Sequence, residues 1–235
     1  RVETAGTLTT PAPALPTPPR EDRAGDIPAW LFHAAPAEPR PPHPLRPSAP
    51  DGATAVANAP GTRFAAATTA LARGRLAHRM FEVLPHLPPS GHDAAVTAMI
   101  AAQKELPAEA GLALAAEVRH VLAMPELVAL FGPDALAEIS VSGVVQGVGV
   151  AGQIDRLHVD DRRVLIGDFK TGPRPATTPE TYVRQMALYG ALMAQIHPQR
   201  DIITWLIWTE AAAVEAITPA ARAAALAALA GASTP

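Results

Sequence analysis

The feature that most constrains this chain is a pair of short apolar runs joined by a charged turn at 160–163. The first run ends beside Asp155 and the second carries Asp168. Such runs, bounded by turn residues, predict two neighbouring strands of a hairpin, so the two acids can face each other. Because side chains alternate along a strand, Asp168 and Lys170 share one face, while Phe169 points into a core. The sequence therefore predicts two carboxylates and an ammonium around one point.

This constellation suits a hard divalent cation, since Mg²⁺ prefers oxygen ligands. The metal would lower the pKa of a water molecule and neutralise charge at a phosphate. Lys170 would then stabilise the negative charge of a phosphoryl-transfer transition state. The alternative is that Asp155 and Asp168 cap turns at strand ends and that Lys170 is their surface partner. The spacing of three residues does not by itself separate these two interpretations.

The remaining pattern predicts an α/β fold with a mixed central sheet of about four strands, flanked by helices and preceded by N-terminal helices. Apolar residues make up 49% of the chain and aromatic residues only 4%, which favours alanine-rich helices around a small sheet. The predicted strands cover 137–145, 149–159, 163–170 and 202–208. The predicted helices cover 64–84, 94–106, 111–122, 179–196 and 219–229, with Thr218 as the N-cap of the last.

The N-terminal quarter of the chain differs in composition from the rest. Residues 9–50 hold 13 of the 26 prolines, which favours extended or polyproline conformations over a packed core. We therefore predict a proline-rich linker over 1–59 and one folded domain over 60–235. The sequence begins at Arg1, which indicates a fragment of a longer protein.

Charge and cysteine content exclude several classes of protein. The formal net charge is -3, so any contact with DNA must be local or assisted. With no cysteine, the chain has no disulfide, iron–sulfur cluster or thiolate zinc site. No apolar run is long enough to span a bilayer and no signal peptide is present, so we expect a soluble intracellular protein. Six arginines are expected to be mostly solvated, although several could meet phosphates: Arg73, Arg75, Arg79, Arg156, Arg174 and Arg184.

Five short motifs occur in one order along the chain. They are Gly74-x3-His78, Glu138, Gly152-Gln153-Ile154-Asp155, Asp168-Phe169-Lys170-Thr171-Gly172 and Gln185-x3-Tyr189. Each motif alone is weak, but as a set they resemble the PD-(D/E)XK nucleases of the RecB type. The likeness is greatest to the C-terminal nuclease domain of AddA, a helicase–nuclease subunit of bacterial double-strand break repair enzymes, and it covers roughly 60–235.

The resemblance implies a restriction-endonuclease-like core and a role for each motif residue. It implies metal ligation by His78, Asp155, Asp168 and the carbonyl of Phe169, catalysis by Lys170, a helical motif of Gln185 and Tyr189, and a supporting role for Glu138. Taken singly, His78 would be an ordinary helix histidine. Gln185 and Tyr189 would likewise be a hydrogen-bonding pair on one helix face. At position 169 the family often has tyrosine, and phenylalanine keeps the ring without the hydroxyl.

The same resemblance implies a function. The domain would be a Mg²⁺-dependent exonuclease, with Mn²⁺ as a substitute, that cleaves single-stranded DNA during helicase-coupled double-strand break repair by homologous recombination. Its partners would be DNA, a helicase domain of the same parent chain and an AddB-type subunit, in the bacterial cytoplasm at the nucleoid and without a membrane. No Gly-x4-Gly-Lys-Ser/Thr loop occurs, so the motor would lie elsewhere. The alternatives are a catalytically silent DNA-binding or scaffolding domain of this fold, or a stand-alone exonuclease.

Overall fold

The computed structural model describes residues 44–47 and 61–232. Contacts divide the chain into two units, Arg1–Pro41 and Pro42–Pro235, and all the described residues belong to the second. Most of the predicted linker over 1–59 thus lies outside the described residues, and its boundary with the predicted domain stays a prediction. No helix among the described residues is long and apolar enough to cross a membrane.

The sheet has five strands in the order in which they occur along the chain. They are β1 (Ala135–Val145), β2 (Val148–Val159), β3 (Arg163–Lys170), β4 (Asp201–Trp208) and β5 (Ala213–Ala216). The pairs β1–β2, β2–β3 and β4–β5 are antiparallel, whereas β3 and β4 are parallel. A parallel pair requires a long crossover, and a helix between β3 and β4 supplies it. The predicted mixed α/β class is confirmed, and the sheet contains one short strand, β5, beyond the predicted four.

Six helices surround this sheet within the described residues. They are α1 (Gly61–Val83), α2 (His92–Ala101), α3 (Ala108–Leu122), α4 (Val128–Phe131), α5 (Glu180–Ile196) and α6 (Pro219–Ala232). The second helix ends five residues before its predicted end at 106. The last begins as predicted, because the Thr218 hydroxyl accepts a hydrogen bond from the Ala221 amide at 3.2 Å.

Helices cover both faces of β3. On one face, Leu165 and Phe169 pack against a core that α1, α2 and α3 supply. On the other face, Val164 and Ile166 pack against residues of α5, among them Met186. A strand covered on both sides reads as a continuous apolar run rather than an alternating one, and six consecutive residues of β3 are buried. Asp168, the acid of β3, therefore lies within a packed layer and not on an open surface.

Candidate metal centre

Three carboxylates stand at one level across three neighbouring strands. In the register of β1 and β2, Ala137 pairs with Arg156 and Ile139 with Ile154, so Glu138 stands opposite Asp155. In the register of β2 and β3, Arg156 pairs with Gly167, so the next position places Asp155 opposite Asp168. Opposite residues of an antiparallel pair are near neighbours. The sheet thus gathers three acids that lie far apart in sequence, including the predicted pair on the hairpin.

A histidine from α1 completes this acidic row. His78 Nδ1 lies 3.3 Å from Glu138 Oε1 and 3.5 Å from Asp155 Oδ1. One donor atom from each of these three residues lies within 4.8 Å of the other two, which is a spacing that one metal ion can bridge. The carboxylate ligands suit Mg²⁺ and Mn²⁺, whereas the imidazole is a ligand that transition metals accept more readily than Mg²⁺.

Asp168 adds a further oxygen at the edge of this cluster. Its side chain is buried, and Oδ2 accepts no hydrogen bond of good geometry among the described residues, although Lys170 Nζ lies 2.6 Å away as an ion pair. A buried carboxylate oxygen that still has lone pairs free is chemically suited to a hard cation. The donor set therefore fits the divalent metal that the sequence predicted.

Burial and like charge change the acidity of this site. Burial lowers the pKa of His78, but the hydrogen bond with Glu138 and the charges of the nearby acids outweigh burial and raise the pKa to about 9. Burial and the neighbouring charge of Asp168 raise the pKa of Asp155 to about 8, although His78 works in the opposite direction. Without a cation, the cluster therefore holds protons at neutral pH.

Lys170 is held beside the acids by a closed set of polar contacts. Its Nζ lies 2.6 Å from Asp168 Oδ2 and donates a hydrogen bond of 2.9 Å to Gln185 Oε1. The amide nitrogen of Gln185 in turn donates to Asp168 Oδ1 at 2.6 Å. Each of the three groups thus contacts the other two. Gln185 fixes the relative position of acid and ammonium, which gives a physical reason for a glutamine at this place in α5.

Phe169 contributes to the site through its backbone as well as its ring. Its amide donates a hydrogen bond of 2.7 Å to Asp155 Oδ2, which fixes that carboxylate. Its ring stacks on Phe81 with centroids 3.8 Å apart, and the predicted core position is confirmed. The predicted metal ligation by its carbonyl stays a prediction.

The backbone of Glu138 has an uncommon conformation. Its φ is 52°, in the left-handed region that residues other than glycine rarely adopt. The Gln153 side chain donates a hydrogen bond of 3.1 Å to the Glu138 carbonyl and supports this conformation. Such strained residues concentrate at functional sites, where surrounding contacts maintain them. The family resemblance implied only a supporting role for Glu138, whereas the structure places its carboxylate within the three-residue cluster.

Beside the site, β2 has an edge that β3 does not cover. Two partners satisfy the backbone groups there. Leu45 forms a parallel bridge with Val150 through hydrogen bonds of 2.8 Å to the Gly149 carbonyl and 2.9 Å from the Ala151 amide. The Tyr189 hydroxyl accepts a hydrogen bond of 3.1 Å from the Gln153 amide. Tyr189, a predicted motif residue, is thus hydrogen-bonded to β2, the strand that carries Asp155.

Gly152 allows this close approach. A Cβ atom at this position would lie 2.6 Å from the Tyr189 hydroxyl oxygen and 3.1 Å from Pro47 Cδ, both too near for a real contact to be comfortable. We expect Gly152→Ala to lower the free energy of unfolding by about 1–3 kcal/mol, because the tyrosine must shift. The measurement is urea denaturation. Gly172→Ala is the matched control, since no described atom lies within 4 Å of a Cβ there, and an equal loss in both variants would contradict this explanation.

A cleft of about 780 Å³ opens above the cluster. His78, Glu138, Lys170 and Gln185 line it, together with Gly74, which precedes His78 by one helical turn. A second cavity of about 520 Å³ lies next to it and shares Lys170 and Thr171 as wall residues. The cleft therefore makes His78 and Glu138 accessible from outside.

The six arginines divide into different groups. Arg156 is only 1% exposed, and one guanidinium nitrogen donates to the Phe81 carbonyl, so the expectation that it is solvated is wrong. Arg73 is paired with both oxygens of Glu117, at 2.7 and 2.6 Å. Arg75 is exposed and lies on the wall of the cleft described above. The sequence pattern did not predict the burial of Arg156, because the neighbouring residues of β2 do not show which face of the sheet the helices cover.

The sequence pattern did not predict a role for Tyr182, which lies on the wall of the cleft. Tyr182 lines both cavities and stands three residues before Gln185 on α5. That spacing places the two side chains on the same side of a helix and was the available signal. All the predicted site residues, by contrast, lie in or beside the cluster: His78, Glu138, Asp155, Asp168, Phe169, Lys170, Gln185 and Tyr189.

Comparison with known proteins places the chain in a family. No curated protein matches it. A solved structure that does match, titled "Crystal structure of SSO0001", is 18% identical, with 51% of this chain and 58% of that chain covered. Its TM-score is 0.29. The sequence profile of the PD-(D/E)XK nuclease superfamily, however, matches residues 55–227, which is most of the chain, and on that match the chain belongs to the PD-(D/E)XK nuclease superfamily.

Proposed function

We propose that this domain is a Mg²⁺-dependent exonuclease that hydrolyses phosphodiester bonds of single-stranded DNA. The observation that carries the proposal is the position of Lys170. Its ammonium is held between Asp168 and Gln185, at the end of a row of acids, and it lines the same cleft as His78. A structural ion pair needs none of the additional acids, whereas a cation site with a positive group beside it is suited to phosphodiester hydrolysis.

The residues divide the work between metal binding and transition-state stabilisation. His78, Glu138, Asp155 and Asp168 would hold the cation, which supplies positive charge at the scissile phosphate and makes water more acidic. The Lys170 ammonium would donate hydrogen bonds to the negative charge that develops there. Gln185, which contacts both groups, would hold the ammonium and Asp168 in a fixed relative position. The amide of Phe169 would hold Asp155 in the orientation that ligation requires.

The charges around the cleft support delivery of the substrate by another domain. Arg73 is paired with Glu117, and Arg79 forms an ion pair of 2.7 Å with Glu82. Paired arginines contribute little to capture of a polyanion, and the net charge of -3 does not add to it. A helicase domain of the parent chain and an AddB-type subunit would provide the strand. The five motifs in AddA-like order support this arrangement, as they do a role in double-strand break repair.

Cleavage of end-labelled DNA tests the proposal. We expect Mg²⁺ or Mn²⁺ to support shortening of single strands from an end, and EDTA or Asp168→Ala to abolish it. The matched control is Asp201→Ala, because Asp201 is an exposed acid at the start of β4. Binding of DNA without cleavage under every metal condition would instead favour the silent scaffolding domain. Efficient shortening of duplex ends without any helicase would favour the stand-alone exonuclease.

A further inference from the structure

Tyr182 forms part of the wall between the cleft and the second cavity. Its side chain is partly buried and lines both spaces. It belongs to the first half of α5, one turn before Gln185. Tyr182 has no part in the proposed metal ligation, in the contact of Tyr189 with β2 or in the contacts of Gln185 described above.

The ring of Tyr182 lies against the ammonium of the proposed catalytic lysine. Lys170 Nζ is 4.0 Å from the ring centroid, well within the range of about 6 Å in which a cation is attracted to an aromatic face. Asp168 also contacts this ammonium, but Asp168 is a proposed ligand of the cation. When its oxygens are engaged by a metal, its hold on the ammonium weakens. The ring and Gln185 then remain to keep the ammonium in place.

Tyr182 is itself held from the far edge of the sheet. Its ring lies 6.0 Å from the Trp208 ring at an angle of 53°. Trp208 is 2% exposed, and its indole nitrogen donates a hydrogen bond of 2.9 Å to Glu215. Glu215 belongs to β5 and also accepts a hydrogen bond from the Thr178 hydroxyl. Because this chain of contacts restrains the ring, Tyr182 can in turn restrain the lysine.

We propose that Tyr182 is a positioning residue for Lys170, whose ammonium its aromatic face holds in the cleft. This inference rests on the proposed function, in which Lys170 acts on the scissile phosphate. The ring face carries the effect and the hydroxyl does not, so phenylalanine can replace tyrosine whereas an aliphatic side chain of similar size cannot. Loss of the ring lets the ammonium adopt more orientations and lowers the fraction of molecules in which it points at the phosphate.

The composition of the chain makes the contact directly observable by NMR. The sequence contains only two lysines, Lys104 and Lys170, and Lys104 is exposed after α2. Protein labelled with ¹³C-lysine therefore gives two sets of side-chain signals. Protons above an aromatic face resonate upfield, so we expect the Hε signals of Lys170 upfield of those of Lys104. Tyr182→Phe retains this shift, and Tyr182→Leu removes it without moving the Lys104 signals.

Kinetics on the same variants provide the second measurement. Tyr182→Leu lowers kcat about 3- to 30-fold, the range that corresponds to loss of a cation–π contact. KM stays within about twofold, because the ammonium acts in the transition state rather than in binding. Tyr182→Phe restores most of kcat. If thermal melting shows that Tyr182→Leu does not fold, Tyr182→Met replaces it, since methionine fills the space flexibly.

Two results would overturn the proposal. One is a Lys170 signal that stays unchanged in the leucine variant. The other is a raised KM with kcat preserved, which would make Tyr182 a surface for stacking DNA bases instead. The NMR measurement needs neither metal nor DNA, so its result is separable from that of the cleavage assay. A ring-dependent shift in a protein that cleaves no DNA would support the contact and count against the proposed function.

Discussion

Lys170→Met is expected to lower kcat for cleavage of single-stranded DNA by about 10²- to 10³-fold, the usual cost of losing one group that stabilises charge in a transition state. Methionine keeps the unbranched shape and much of the volume of the lysine side chain, and the ammonium that contacts Asp168 and Gln185 disappears. Mn²⁺ affinity should stay the same or rise, because a positive charge has been removed from beside a cation site. Single-turnover cleavage and calorimetry measure these two effects separately.

Lys104→Met is the control for this result. It removes the only other lysine of the chain, in an exposed turn outside the cleft-lining residues, and should leave cleavage and Mn²⁺ binding at the wild-type level. A Lys170→Met variant that still cleaves at the wild-type rate would remove Lys170 from the catalytic assignment. A variant that loses metal binding along with cleavage would show that the lysine organises the acids instead.

Metal binding is expected to depend steeply on pH. The folded protein raises the pKa of His78 to about 9 and that of Asp155 to about 8, so both groups hold protons at pH 6. Ligands must lose their protons to bind a cation, and the apparent affinity rises up to about tenfold per pH unit for each proton released. We therefore expect Mn²⁺ affinity to rise by about 100-fold or more between pH 6 and 8. Calorimetry in two buffers of different ionisation enthalpy counts the released protons.

The same pKa values predict the direction in which the stability of the metal-free protein changes with pH. Both pKa values are higher in the folded state, so the stabilisation is full below the unfolded pKa values and is lost as the pH rises through the folded ones. Asp155 loses its contribution from about pH 4 to 8, and His78 loses its own from about 6.5 to 9. Thermal melting should therefore show declining stability toward alkaline pH and recovery on addition of Mn²⁺.

Asp155→Ala should weaken both the metal binding and its pH dependence, and a metal response equal to wild type would remove Asp155 from the ligand set.

Most of the sheet follows from local sequence. Alternation and turn residues define β1, β2 and β3 within two residues of their predicted ends, because each signal lies within one short segment. The short strand β5 was not predicted. Its four residues, Ala213–Ala216, contain little β-branched or aromatic character, and they form a strand because β4 supplies a partner edge.

The composition of the site follows from sequence less completely. The hairpin predicts that Asp155 and Asp168 meet, since the register of two adjacent strands is set by one turn. The position of His78 depends on how α1 packs against the sheet, and no local pattern encodes that packing. The contact of Tyr182 with Lys170 is likewise tertiary, as is the bridge from Leu45 to β2. Residue resemblance placed His78 in the site, whereas only the folded geometry gives Tyr182 a partner.

The row of acids across three strands links strand register to the cation. Side chains alternate along a strand, so a slip of one residue in β1 or β3 would turn Glu138 or Asp168 to the opposite face of the sheet. Only the correct pairing gathers all three carboxylates, so the proposed divalent ion would bind that pairing in preference to a slipped one. By mass action the ion would then stabilise the correct sheet over its misaligned alternatives. The cation that the site would use for chemistry thus also selects the alignment of the strands that form the site.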